Sequence, residues 1–138
     1  MSLQWSEALS VGNDLIDNDH KYLIALINET ELDIQQRHRT ELASVLAKLA
    51  MYSQFHFTRE EKIGTAAGFG QVAQMHDSHA YLLKKLEEFK SENDDFWADE
   101  SMDAFGGFLQ TWLINHVLKE DMLLKPFLEK VPRNFDPK

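Results

Sequence analysis

Five of the six histidines in this chain fall where apolar helix stripes should run, and two carboxylates, Glu60 and Asp121, join them there. Imidazoles and acids are costly in a core unless something pairs with them, and the partner that suits so many at once is a metal ion. His56 and Glu60 are four residues apart, so on a helix they project from one face roughly 6 Å apart and can reach one ion or neighbouring ions. His20, His79 and His116 stand on three other stripes, so each of four helices supplies at least one nitrogen. Asp121 follows His116 by five residues, about 140° further round an ideal helix, and joins the site only if the helix bends, bulges or ends nearby. His38, among Gln36, Arg37 and Arg39, reads as a turn residue and not a ligand. Imidazole and carboxylate without thiolate favour iron, manganese or zinc, and two acids able to bridge favour a pair of ions over one.

The elements that must position these residues are four helices. Ile16, His20, Leu23, Ile27, Thr30 and Ile34 repeat at steps of four and three, which predicts a helix from about Asp17 to Gln36. A second, from about Thr40 to Ile63, carries Leu42, Leu46, Leu49, Ser53, His56, Glu60 and Ile63 on one face, and the glycines between Gly64 and Gly70 break it. Val72, Met75, His79, Leu82, Leu86 and Phe89 mark a third from about Gln71 to Lys90, closed by the polar run Ser91 to Asp95. Phe105, Leu109, Trp112 and His116 mark a fourth from about Ser101 to Leu118, and Pro126, Pro132 and Pro137 then forbid a long helix in the tail. No stretch alternates with period two. The expected fold is all-α: an antiparallel up-down four-helix bundle with a short N-terminal arm and a C-terminal tail, one domain over residues 1–138.

Composition narrows the chemistry. A chain of 138 residues with a formal net charge of -9 repels phosphate backbones and anionic lipid, so neither nucleic acid nor a membrane surface is an expected partner. The absence of cysteine removes disulfides, thiolate catalysis and iron–sulfur or zinc–thiolate sites together. With no basic n-region, no apolar leader and no stretch long enough to span a bilayer, the cytoplasm is the expected compartment. Phe96, Trp97 and Phe135 are read as exposed aromatics that serve as loop anchors or an interface, with anchoring the better reading.

Several spaced motifs then resemble the bacterial hemerythrins. Trp5-Ser6 with Ser10-Val11-Gly12, Ile16-Asp17 and Asp19-His20-Lys21 is similar to the opening of that family. His56-Phe57-Thr58-Arg59-Glu60-Glu61 resembles its HFxxEE element, and Trp112-Leu113-Ile114-Asn115-His116 with Asp121 resembles its WLxxHxxxxD element. The resemblance covers essentially the whole chain. It implies a bundle enclosing two non-haem iron ions (Fe2+/Fe3+) with an oxo or hydroxo bridge, spanned by Glu60 and Asp121. His20 and His56 would hold one iron, and His79 and His116 the other. The activity it implies is reversible binding of molecular oxygen, as a carrier, store or sensor and not an enzyme. Leu23, Phe57, Trp112, Leu113 and Val117 would form the apolar pocket over the iron, where exclusion of water and protons protects bound oxygen.

The chain departs from that pattern at three places. The third helix of the family carries HxxxH, whereas Met75 stands here at the first position, with His76 beside it and His79 where the second belongs. The Gly68-Phe69-Gly70 turn has glycine where the family has proline, and Leu124 replaces a frequent tyrosine. A thioether is a poor ligand for iron of this hardness. Three outcomes compete: His76 substitutes through a shift of register, water fills the position, or the site holds iron weakly. The apolar stripe runs through residue 75, which favours a vacancy. Two further functional classes stay in view, a di-iron oxidase or peroxidase with an exposed second coordination position, and a metal-dependent signalling module acting through a protein partner. Against the ferritin-like oxidases, no histidine here has a glutamate three residues before it.

Overall fold

The computed structural model describes residues 3–93 and 96–137. Four long helices carry the chain: α1 (Asp14–Gln35), α2 (Arg39–Ala66), α3 (Val72–Glu92) and α4 (Asp99–Ile114). The chain stays helical beyond α4, through π-helical turns at Asn115–Glu120 and a 3-10 turn at Asp121–Leu124, into the short α5 (Lys125–Leu128). Short connections make successive helices antiparallel, with α1 packed on α2 and α4, and α2 on α3. The four-helix bundle expected from the periodicity is the fold observed. No strand occurs among the described residues.

Each helix boundary has a local cause. Asn13 caps α1 by accepting a 3.1 Å bond from the Ile16 amide, and Asp14 and Asp17 place negative charge in the first turn, where the helix dipole favours it. α1 and α2 both end in paired reverse bonds: His38 N–H to Asp33 and Arg37 N–H to Ile34, then Phe69 N–H to Gly64 and Gly68 N–H to Thr65. The residue that must turn left-handed is Gly68 in one case (φ 88°) and Arg37 in the other (φ 56°). Arg37 adopts the less favourable conformation while its guanidinium pairs with Asp103 at 3.0 Å. Gly64, expected to break α2, is instead inside it, and its missing Cβ lets Leu124, Met75 and Val72 approach. Of the polar run placed after α3, Asp94 and Asp95 lie outside the described residues.

The two ends of the chain are tied together beside the start of α1. Asp17 accepts from Ser10 Oγ at 2.5 Å and from the Val11 amide at 2.9 Å, and Arg133 reaches both Asp14 and Asp17. The Asn13 amide group donates to the Phe135 carbonyl at 3.0 Å. Of the three aromatics read as exposed, Phe96 is 65% exposed, but Trp97 is buried in the main core and Phe135 packs on the second apolar cluster. Trp97 is therefore a core anchor. Sequence could not reveal this, because its ring is buried by the distant Phe105, 5.4 Å away between centroids.

The core is in two pieces. A large cluster holds Leu23, Phe57, Leu82 and Trp112, and a smaller one holds Ile16, Ile63, Met75 and Leu124. On every helix the step from one cluster to the other passes through a polar residue: Ile16 to His20 to Leu23, Phe57 to Glu60 to Ile63, Met75 to His79 to Leu82, and Trp112 to His116 and Asp121 to Leu124. A single polar layer crosses the bundle between two dry ones.

Candidate metal centre

That layer brings together every residue singled out as a ligand. His20, His56, Glu60 and Asp121 are fully buried, and His79 and His116 nearly so. One donor atom from each of His20, His56, Glu60, His116 and Asp121 lies within 4.8 Å of all the others. Glu60 is the hub. Its Oε2 stands 3.0 Å from His56 Nε2, 3.3 Å from His20 Nε2 and 3.6 Å from His116 Nε2, while its Oε1 stands 3.0 Å from His79 Nε2. Asp121 Oδ2 is 2.7 Å from both His20 Nε2 and His116 Nε2.

Asp121 reaches the layer because the backbone changes pitch. The π-helical turns over Asn115–Glu120 add one residue per hydrogen-bonded turn, which returns a residue five places on to the side of the helix it left. The 140° misplacement expected of an ideal α-helix is thereby removed. The excursion sits between His116 and Asp121, where the two side chains require it.

The outer nitrogens of two histidines are fixed by acids. Asp19, next to His20 in sequence, is 3.1 Å from His56 Nδ1 and also accepts from Tyr52 at 3.0 Å and Arg59 at 3.1 Å. Glu61, next to Glu60, is 2.8 Å from His79 Nδ1. With a carboxylate at Nδ1, the proton resides there and the Nε2 lone pair faces the layer's centre, the tautomer a metal ligand needs. Both acids stand inside the motifs of the sequence, where spacing alone gives neither a role. The available signal was adjacency: each precedes or follows a stripe residue and so lies at the edge of the buried face.

His76 lies elsewhere. Its side chain is 65% exposed and its Nδ1 is 2.8 Å from the other oxygen of Glu61, so it braces Glu61 from the solvent side. Met75 points inward and packs in the smaller apolar cluster. His38 caps no ligand set and pairs with Asp33 at the α1–α2 turn.

Electrostatics record how strongly these groups need positive charge between them. Burial opposes charge on His20, yet Asp121 and Glu60 overcome it and push its imidazole up to about 10. His56 and His79 are likewise raised against burial, chiefly through Glu60. The carboxyl of Glu60, which burial would raise, is held well below the usual range by His116 and His56. Asp121 nevertheless has unused accepting capacity: its Oδ1 has no hydrogen-bond partner, and its Oδ2, although 2.7 Å from two imidazole nitrogens, makes no aligned hydrogen bond. His56 Nε2 and His116 Nε2 face one another at 3.3 Å, a contact between two acceptors unless one carries a proton. Buried acceptors aimed at a common point with unmet bonding capacity are what a cation satisfies, and the all-nitrogen-and-oxygen set suits iron of intermediate hardness.

Apolar rings seal the layer. Phe57 stacks on His79 with centroids 3.9 Å apart and planes 3° from parallel, and Trp112 stacks on His116 at 4.6 Å. Leu23, Leu113 and Val117 are fully buried, as is Leu124, the residue standing where the resemblance leads one to look for tyrosine.

Four helices closing on a buried nucleus of imidazoles and carboxylates define a helical-bundle protein with a non-haem metal-binding donor set. The hemerythrin HHE cation binding domain matches residues 11–128, and the chain belongs to that family. It is 31% identical over 121 residues to the bacteriohemerythrin of Pseudomonas aeruginosa, covering 86% of this chain and 76% of that protein. To the bacteriohemerythrin of Clostridium acetobutylicum it is 25% identical over 121 residues, covering 85% and 94%. A solved hemerythrin point mutant superimposes with a TM-score of 0.77 at 22% identity, over 91% of this chain and 96% of that one.

Proposed function

We propose that this protein binds molecular oxygen reversibly at two non-haem iron ions held within the polar layer, as a carrier, store or sensor. The observation that carries the reading is the convergence of five fully or nearly fully buried donors within 4.8 Å, with His79 on the far oxygen of Glu60. His20, His56, His79 and His116 would supply the nitrogens, and Glu60 and Asp121 the carboxylates, that hold the two ions. A pair of ferrous ions supplies the electrons and the coordination position that oxygen requires. Asp19 and Glu61 keep the Nδ1 protons of His56 and His79 turned away from the centre. Leu23, Phe57, Trp112, Leu113 and Val117 keep water and stray protons out, which favours release of oxygen unchanged over its loss as reduced product.

Family membership supports this reading, as does the seal of stacked rings over two of the imidazoles. No helix among the described residues is long and apolar enough to cross a membrane, and we place the protein in the cytoplasm as a single domain. Loading the metal-free chain with ferrous iron without air, admitting oxygen and then removing it tests the function. A visible charge-transfer band that appears with oxygen and vanishes on its removal, over repeated cycles, is expected. Irreversible oxidation on first exposure contradicts reversible binding.

One observation favours a second reading. A cavity of about 160 Å³ opens beside Met75, one turn from His79 on α3, and Glu120, the sequence neighbour of Asp121, and is lined also by Phe69, Gln74 and Leu123. A small oxidant entering there would make the protein a di-iron peroxidase or oxidase. Sustained consumption of hydrogen peroxide by the iron-loaded chain distinguishes this from oxygen carriage.

A further inference from the structure

We infer that the polar layer is two unequal metal positions: a tight one built from His20, His56, Glu60, His116 and Asp121, and a labile one at His79 that lacks a donor because Met75 stands where one is needed. This rests on the metal-binding reading above.

The separations among the donors carry the inference. Metal–nitrogen bonds of about 2.1 Å at right angles put neighbouring donor atoms about 3 Å apart. The contacts His20 to Asp121 (2.7 Å), His116 to Asp121 (2.7 Å), His56 to Glu60 (3.0 Å), His20 to Glu60 (3.3 Å) and His56 to His116 (3.3 Å) are edges of that size. Three nitrogens and two oxygens thus form the outline of one ion's coordination shell before any metal arrives. His79 is not among these mutually close donors. Its Nε2 meets Glu60 Oε1, whereas the other three histidines approach Oε2.

What would complete the His79 position is a donor one turn back on α3, at residue 75, where a side chain lies over the same face. Met75 occupies that place and is directed into the apolar cluster with Ile63, Phe69 and Leu124. Its methyl carbon lies 3.6 Å from where a Cβ on Gly64 would stand, so it fills the space that the glycine leaves. His76 supplies no replacement, being on the solvent side of Glu61. Beside Met75 lies the 160 Å³ cavity, whose lining reaches Glu120, the neighbour of Asp121 in sequence. An ion at His79 therefore has one protein nitrogen of its own and shared carboxylates, with the cavity lying beside the residue that fails to supply a second.

The test counts ions. Metal-free full-length protein is loaded with excess ferrous iron under nitrogen, passed through a desalting column and analysed for bound iron, and the binding isotherm is recorded separately. The wild-type chain is expected to bind in two steps at least tenfold apart in affinity and to leave the column with one ion. Met75→His should leave with two, and His76→Ala with one. Should Met75→His fail to fold, as judged by circular dichroism, His79→Ala decides: it should keep the retained ion and abolish only the weak step. Two ions retained equally by the wild-type chain overturn the inequality while sparing the metal reading. A folded Met75→His chain that retains a single ion overturns the assignment of the missing donor, as does loss of the tight ion in His79→Ala. A wild-type chain retaining no iron removes both readings.

Discussion

Asp121 Oδ2 lies 2.7 Å from His116 Nε2 although five residues separate them, a spacing that an α-helix turns to different faces and that six residues of π-helix bring back together. An energetically poorer backbone held at one place in an otherwise regular bundle indicates that the contact it creates is needed. Asp121→Asn keeps the shape and removes the charge that draws metal. It should leave the helical content unchanged and lower iron affinity at least tenfold, as measured by competition with a chelator. Affinity within twofold of the unmodified chain would show that Asp121 is not a ligand.

The acids behind the histidines should matter nearly as much. Glu61→Gln and Asp19→Asn each replace a charged acceptor for an Nδ1 proton by a neutral one, and loss of such partners typically costs about 10- to 100-fold in metal affinity. His76→Ala removes only the outer brace on Glu61 and should cost less than either. A larger loss for His76→Ala than for Glu61→Gln would assign His76 a role in coordination that its exposure denies.

Removal of the metal should leave a protein whose stability depends on pH in a definite direction. Folding raises the His20 imidazole from 6.5 to about 10, so the folded state binds that proton more tightly. Its contribution is complete below about 6.5 and is lost as pH climbs through about 10. Glu60 is shifted the other way, and its contribution is present above about 4.5 and lost on acidification. Melting temperatures of the metal-free chain should therefore fall steadily from pH 6.5 towards pH 10, while the iron-loaded chain, with no His20 proton to lose, shows a shallower slope. Equal slopes for the two forms would be inconsistent with protons and metal competing for the same nitrogens.

Phe57 connects the packing of the bundle to the chemistry of its centre. It is almost fully buried and stacks on His79 at 3.9 Å. Phe57→Ala should destabilise the protein by about 3–5 kcal/mol in denaturant titrations, and the cavity it leaves adjoins polar atoms that would draw in water. Iron should still bind to the altered chain, but oxidise faster in air. An oxidation rate equal to that of the unmodified protein would show that the ring packs without sealing.

The four helices were legible in the sequence because each stripe repeats over five turns or so, and the ligand residues were legible because they interrupt those stripes. Asp121 was legible only conditionally, since whether a helix changes pitch after His116 depends on what the other three helices offer it. Gly64 was misplaced for a related reason: an isolated glycine reads as a break, but here it gives Met75 and Leu124 room. The roles of Asp19 and Glu61 were invisible because they depend on which nitrogen of a distant ring each acid meets. Between Met75 and His76, sequence left both open. The structure separates them by burial, one inside the smaller apolar cluster and one in solvent.

The most direct test of the whole account is a crystal structure of the iron-loaded chain with anomalous difference density measured across the iron edge. The strongest peak should lie among Nε2 of His20, His56 and His116 and the carboxylates of Glu60 and Asp121, with no sulfur in its coordination shell. Iron found only at surface carboxylates, or an empty layer in a crystal that contains iron elsewhere, would contradict it.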